Sequence, residues 1–98
     1  MRTVHKFRLQ TMNAANQVDL PKGSNVIHVG IDGHGSLCIW AEVEINAIGA
    51  TPTDQRHFVV VGTGWDISFN NAQHVGSTVT SAGFVWHVYE LKGLVRHG

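Results

Sequence analysis

Histidine is the residue type that most suggests a chemical role, with seven copies in 98 residues. Imidazole titrates near neutral pH and is the most common metal ligand in proteins. Four histidines fall in segments that alternate as β-strands, and on adjacent strands they could converge with Cys38 on a zinc ion. These are His5, His28, His57 and His87. The closely spaced ligand pairs typical of zinc sites are absent, so no metal ligand is assigned from the sequence.

Cys38 is the other candidate for chemistry, since a cysteine beside a histidine can act as a nucleophile. It lies between Leu37 and Ile39 in a segment that alternates as a strand. An apolar strand environment makes a thiol inert rather than reactive. We therefore assign no catalytic residue and no cofactor, and expect a protein that is not an enzyme.

The glycine-rich segment Gly62-Thr63-Gly64 is similar to loops that cradle phosphate groups. It lacks the rest of the dinucleotide fingerprint, and no Gly-Lys-Ser/Thr follows it. The favoured interpretation is a strand end at which glycine lets the backbone turn or approach another group closely.

Tryptophan provides the best argument for binding, because indole rings favour interfaces and stacking surfaces. Trp40 and Trp86 lie in alternating segments and are interpreted as core or sheet-covering residues, whereas Trp65 follows the glycine segment in a predicted loop. An anionic nucleotide would also need a cation for its phosphate, and Arg56 or Arg8 could supply one. The predicted binding residues are Arg8, Arg56, His57, Gly62, Thr63, Gly64 and Trp65.

The elements that must position these residues are predicted to be β-strands. The 13 Val, 6 Ile and 7 Thr residues favour sheet over helix, and no helical period is sustained. We predict an all-β, antiparallel β-sandwich or partly open barrel of about seven strands. The predicted strands are Thr3 to Leu9, Gln17 to Leu20, Asn25 to Ile31, Ser36 to Glu44, Arg56 to Gly64, Gln73 to Thr80 and Gly83 to Leu91.

Several details of this sheet follow from alternation and turn chemistry. Asp32 to Gly35 and Ser81-Ala82 predict two hairpins. The run Phe58 to Val61 predicts a central strand that is buried on both faces. Ile27 is expected to share a face with Val29 and Ile31. Segments 46–54 and 65–72 read as loops, the second with room for one helical turn.

Length and charge limit the classes of function. A chain of 98 residues buries one core, so we expect a single domain with an ordered part of roughly 2–91 and a flexible tail at 92–98. Seven basic and seven acidic residues cancel, which argues against nucleic-acid polymers and anionic membranes as partners. A single cysteine and the lack of a long apolar run favour a cytoplasmic protein.

Several blocks, read in order, resemble a family of small uncharacterised proteins of bacteriophages and prophages. They are Thr3 to Phe7, Leu20 to Gly23, Val26 to Val29, Leu37 to Ala41, Arg56 to Phe58, Gly62 to Gly64 and Phe84 to Glu90. The resemblance covers roughly residues 2–91 and implies an accessory protein acting in the cytoplasm of an infected bacterium. It implies no activity.

Three functions therefore remain open. The first is a non-catalytic protein that sequesters a nucleotide signal of host immunity or inhibits a host defence protein. A chain this small obtains a pocket most readily between subunits, so this hypothesis includes a homo-oligomer. The second is a structural or assembly component of the virion. The third is a metal-dependent enzyme that uses the strand histidines.

Overall fold

The computed structural model describes residues 1–10 and 15–92, which form seven antiparallel β-strands and no helix. The strands are β1 Arg2–Arg8, β2 Ala15–Pro21, β3 Asn25–Ile31, β4 Leu37–Glu44, β5 Thr53–Gly62, β6 Ala72–Val79 and β7 Val85–Leu91. The predicted all-β class and strand number are confirmed. The largest difference is in β5, which begins at Thr53 rather than at Arg56 and ends at Gly62 rather than at Gly64.

The strands form two sheets that pack face to face as a sandwich, rather than a closed barrel. One sheet has three strands in the order β1-β4-β3, and the other has four in the order β2-β5-β7-β6. Apolar side chains from both inner faces make the core, which removes their surface from water. The fully buried core residues with the largest side chains include Leu20, Ile39, Phe58, Val60 and Val88.

Both predicted hairpins are present, with β3 paired to β4 and β6 paired to β7. The prediction for β5 is also confirmed. Its run Phe58-Val59-Val60-Val61 is buried, and β5 lies between β2 and β7. Phe58 and Val60 belong to the core between the sheets, whereas Val59 and Val61 alternate to the other face, where they pair with Tyr89 and His87 of β7.

Two local predictions are wrong. A β-bulge between Val26 and His28 shifts the alternation of β3, so Val26 packs against the core while Ile27 is 50% exposed. An extra residue in one strand reverses the faces of the residues beyond it. The loop before β6 contains no helical turn.

The predicted flexible tail begins at Lys92, whose backbone N–H donates to the carbonyl of Asn71 at 2.7 Å. The rest of that segment, 93–98, lies outside the described residues, as does His97. Within residues 1–10 and 15–92, no helix is long and apolar enough to cross a membrane.

Candidate functional site

The segment Gly62-Thr63-Gly64-Trp65 forms a tight turn at the end of β5. The N–H of Trp65 donates to the carbonyl of Gly62 at 3.0 Å, and Gly64 has a φ of +89°. A positive φ at the third position is typical of a type II turn and favours glycine. The interpretation of this segment as a strand end, and not a phosphate loop, fits this geometry.

The turn folds the indole of Trp65 back over the strand it has just left. A Cβ added to Gly62 would lie 2.8 Å from Cε2 of Trp65, so only glycine lets the ring lie this close. Trp65 also packs edge-on against Trp86 of β7, with ring centroids 5.4 Å apart and planes at 69°. Edge-to-face packing is a favoured arrangement because the positive edge of one ring meets the negative face of the other.

Phe84, the residue before β7, extends this cluster beside Trp86. Its ring is stacked on Trp86 with centroids 6.4 Å apart, and 64% of Phe84 is exposed to solvent. The three aromatic rings line a groove of about 420 Å³. The groove is lined by Gly62, Thr63, Trp65, Gly83, Phe84, Val85 and Trp86, none of which carries a charge. We call this feature the aromatic groove.

A chain of hydrogen bonds begins at the aromatic groove and crosses the opposite face of the four-stranded sheet. Oγ1 of Thr63 lies 2.8 Å from Nε2 of His87, and Nδ1 of His87 lies 2.7 Å from Oγ of Ser77. The same Ser77 oxygen lies 3.0 Å from Nε2 of His74. We call these four residues the hydroxyl–imidazole chain, and it connects the groove loop to β6.

A β-bulge in β6 brings the members of this chain together. His74 pairs with Tyr89 and Ser77 pairs with His87, with the register shift between His74 and Gly76. Positions 74 and 77 would point to opposite faces of a regular strand, and the extra residue places both on one face. The ring of His74 also packs edge-on against Tyr89, with centroids 5.3 Å apart.

Arg56 is not part of the aromatic groove, contrary to our expectation. Its Nε and Nη2 donate to the carboxylate of Glu90 at 2.6 and 2.8 Å, and its Nη1 donates to the carbonyl of Ser24 at 2.6 Å. The bidentate pair uses the groups that would bind phosphate. Arg56 is a structural residue that ties β5 to β7 and to the turn before β3.

The same ion pair shifts the pKa of both partners. Hydrogen bonding to Glu90 raises the pKa of Arg56. Burial by itself would raise the pKa of Glu90, but the hydrogen bonds and charge of Arg56, with help from Lys92, outweigh it and hold the pKa below its ordinary range.

The other predicted binding residues are spread over the molecule. Arg8 lines a separate hollow of about 290 Å³ between β1 and β2. His57 pairs with Gln17 of β2 in the middle of β5, five residues before Gly62. Of the predicted set, the structure brings together Gly62, Thr63, Gly64 and Trp65.

The strand histidines do not converge with Cys38. His5 and His28 belong to the three-stranded sheet, whereas His57 and His87 belong to the four-stranded sheet. In the part of the chain that the structure describes, no three His, Cys, Asp or Glu side chains are grouped closely enough to hold a metal ion.

Cys38 is buried, as expected of an inert thiol. Burial is the main reason that its pKa is raised, and the charge of Asp32 and a long contact to it, 3.6 Å from Sγ to Oδ2, add to the effect. Asp32 itself is paired with Lys6 at 2.8 Å, and this hydrogen bond holds its pKa far below the ordinary range. The Asp32 carboxylate also accepts a hydrogen bond from the N–H of Ser36 and so stabilises the β3–β4 turn.

Seven further residues of the groove and the hydroxyl–imidazole chain were not identified from the sequence as binding residues: His74, Ser77, Gly83, Phe84, Val85, Trp86 and His87. Trp86 was interpreted as core, and it does pack partly against the core while also lining the groove. Phe84 was placed on the same strand face as Trp86, which was the available signal. Ser77 had no signal in the sequence, because its contact with His87 crosses to β7 and its contact with His74 depends on the bulge in β6.

The sequence profile of a domain of unknown function, DUF7352, matches residues 1–97. The match covers nearly the whole chain, including both the aromatic groove and the hydroxyl–imidazole chain. The protein belongs to the DUF7352 family. No match to this DUF7352 protein is found among curated proteins or among solved structures.

Proposed function

We propose that this DUF7352 protein is a binding protein without catalysis, whose aromatic groove receives an apolar or aromatic side chain of a partner protein. The observation that carries the proposal is the uncharged groove of about 420 Å³ in which Trp65 and Phe84 are solvent-exposed. Exposed aromatic clusters mark interaction sites, because burying them in a complex removes a large apolar area from water. The resemblance to phage proteins implies that this partner is a host defence protein in the bacterial cytoplasm.

The charge around the groove favours a protein partner over a nucleotide. A nucleotide phosphate needs a cation or a row of free backbone N–H groups. The guanidinium of Arg56 is held by Glu90, Arg8 lines a different hollow, and the residue after Trp65 is the acidic Asp66. These features leave the groove without a cation for phosphate, so stacking on the aromatic rings is the main contact that it offers a nucleotide.

The hydroxyl–imidazole chain supports binding rather than nucleophilic catalysis. Ser77 and His87 are at the distance of a nucleophile and its base. In serine hydrolases the second imidazole nitrogen donates to a carboxylate, which stabilises the imidazolium that forms. Here that nitrogen contacts the neutral hydroxyl of Thr63, so the chain offers no such stabilisation.

A ligand titration followed by backbone-amide NMR tests the chemistry of the groove. We expect N-acetyl-tryptophanamide to shift the signals of Gly62, Trp65 and Trp86, and AMP to do so no more strongly than adenosine. Stronger binding of AMP than of adenosine would show that phosphate is recognised and would overturn the choice of partner. Phe84→Ser should weaken the response to the tryptophan amide, whereas Ile48→Ser is the matched control because Ile48 is 91% exposed in another loop.

Photo-crosslinking in bacterial cells tests whether the occupant is another protein or a second copy. A benzophenone amino acid at position 84 should crosslink to a distinct protein, and one at position 48 should not. A crosslink between copies, together with a dimer by light scattering that Phe84→Ser dissociates, would make the groove a homo-oligomer interface.

A further inference from the structure

Two imidazole rings on the surface of the four-stranded sheet point their nitrogens at one atom. Nε2 of His74 and Nδ1 of His87 lie 3.0 and 2.7 Å from the same Oγ of Ser77. His74 and Ser77 are exposed and His87 is half-buried, so solvent reaches the point of convergence.

Both rings are held in place by contacts other than Ser77. Nε2 of His87 lies 2.8 Å from Oγ1 of Thr63, and the His74 ring packs against Tyr89. Metal-ligating histidines usually have their second nitrogen hydrogen-bonded, because this fixes the ring and its tautomer. When Nε2 of His87 donates to Thr63, the lone pair of Nδ1 faces Ser77.

A single hydroxyl cannot satisfy both nitrogens in the same way. Ser77 has one hydrogen to donate, so one ring accepts it and the other ring must donate its own N–H to the oxygen. A metal ion between the rings would use both nitrogen lone pairs at once. Imidazole nitrogen is a favoured ligand for Zn²⁺, Ni²⁺ and Cu²⁺.

We propose that His74 and His87 form a surface site for one divalent transition-metal ion, which binds between the two ring nitrogens when the Ser77 hydroxyl rotates away. The site has two protein nitrogens, with water free to complete the coordination, and so has fewer protein ligands than the four of structural zinc sites or the three of catalytic ones. It is separate from the proposed partner binding, and it touches the aromatic groove only through Thr63.

Calorimetric titration of the untagged protein with zinc chloride in a non-chelating buffer tests the site. We expect saturable binding of one Zn²⁺ per chain and a rise in the melting temperature with Zn²⁺. His74→Gln and His87→Gln should each weaken binding by more than about tenfold, because even loss of an outer hydrogen-bond partner costs a metal site 10- to 100-fold. The matched control is His34→Gln, an exposed histidine in the β3–β4 turn, which should leave the affinity unchanged.

Melting curves without metal establish that each variant is folded. Ser77→Ala keeps both rings and removes the competing hydroxyl, so binding should persist in this variant. The proposal is overturned if the wild-type protein binds no Zn²⁺ saturably, if either His74→Gln or His87→Gln binds as tightly as wild type, or if Ser77→Ala abolishes binding.

Discussion

Trp65 lies edge-on against Trp86, with ring centroids 5.4 Å apart, although Trp65 is in the loop after β5 and Trp86 is in β7. The turn after β5 creates this contact by directing the indole back over Gly62. The contact stabilises the loop and also forms one wall of the aromatic groove. Its geometry therefore links loop stability to the shape of the proposed binding site.

Gly62→Ala is expected to displace the Trp65 ring, since the new Cβ would lie 2.8 Å from it. Crowding of this kind costs about 1–3 kcal/mol in unfolding free energy. Near-ultraviolet circular dichroism should lose the signal of the coupled indoles, and acrylamide should quench the fluorescence more strongly. Gly33→Ala is the control, because a Cβ at Gly33 meets nothing within 4 Å. Equal effects of the two substitutions would contradict the close contact.

Glu90→Gln is expected to lower the unfolding free energy by about 2–3 kcal/mol, because it leaves the half-buried Arg56 without its counter-charge. The Arg56 and Glu90 side chains are only 19% and 8% exposed. Urea denaturation measures the change. Lys22→Gln breaks the exposed pair with Asp54 and should leave the midpoint nearly unchanged. If Lys22→Gln lowered the unfolding free energy as much as Glu90→Gln, burial of the ion pair would not be the cause of the loss.

The contribution of Glu90 to the unfolding free energy should disappear in acid. Its pKa in the folded protein lies below the ordinary value of 4.5, so its stabilisation is complete above that value and is lost as the pH falls through the folded-state pKa. Urea denaturation of wild type and Glu90→Gln from about pH 6 to about pH 3 should show two curves that approach each other. A constant difference across this range would be inconsistent with the ion pair as its source.

The thiol of Cys38 is expected to react slowly in the folded protein. Burial raises its pKa, so little thiolate is present at neutral pH, and the side chain is inaccessible. A disulfide reagent that releases a coloured thiolate should react at a rate limited by opening of the fold. The same reaction in denaturing urea should be fast, and rapid labelling without urea would contradict the burial.

Alternation and turn chemistry were enough to predict the strands and much of their placement. The segment from Phe84 through β7 shows why: Phe84, Trp86 and Val88 share one face because strand side chains alternate with a fixed period of two. The apolar run in β5 predicted a central strand, and such a run is also a local feature of the sequence. The hairpins followed from turns of a few residues, so their partners lay close along the chain.

The tertiary structure decided what depends on partners distant in the chain. The bulges in β3 and β6 exposed Ile27 and placed His74 beside Ser77. Gly76 adjoins the bulge in β6 and is a residue type that often marks one, but no glycine adjoins the bulge in β3. Arg56 was predicted as a phosphate ligand, but it is paired with Glu90, which lies 34 residues away along the chain. Local sequence determines the period of a strand, but the register between strands and the neighbours of each side chain arise only when the whole core is packed.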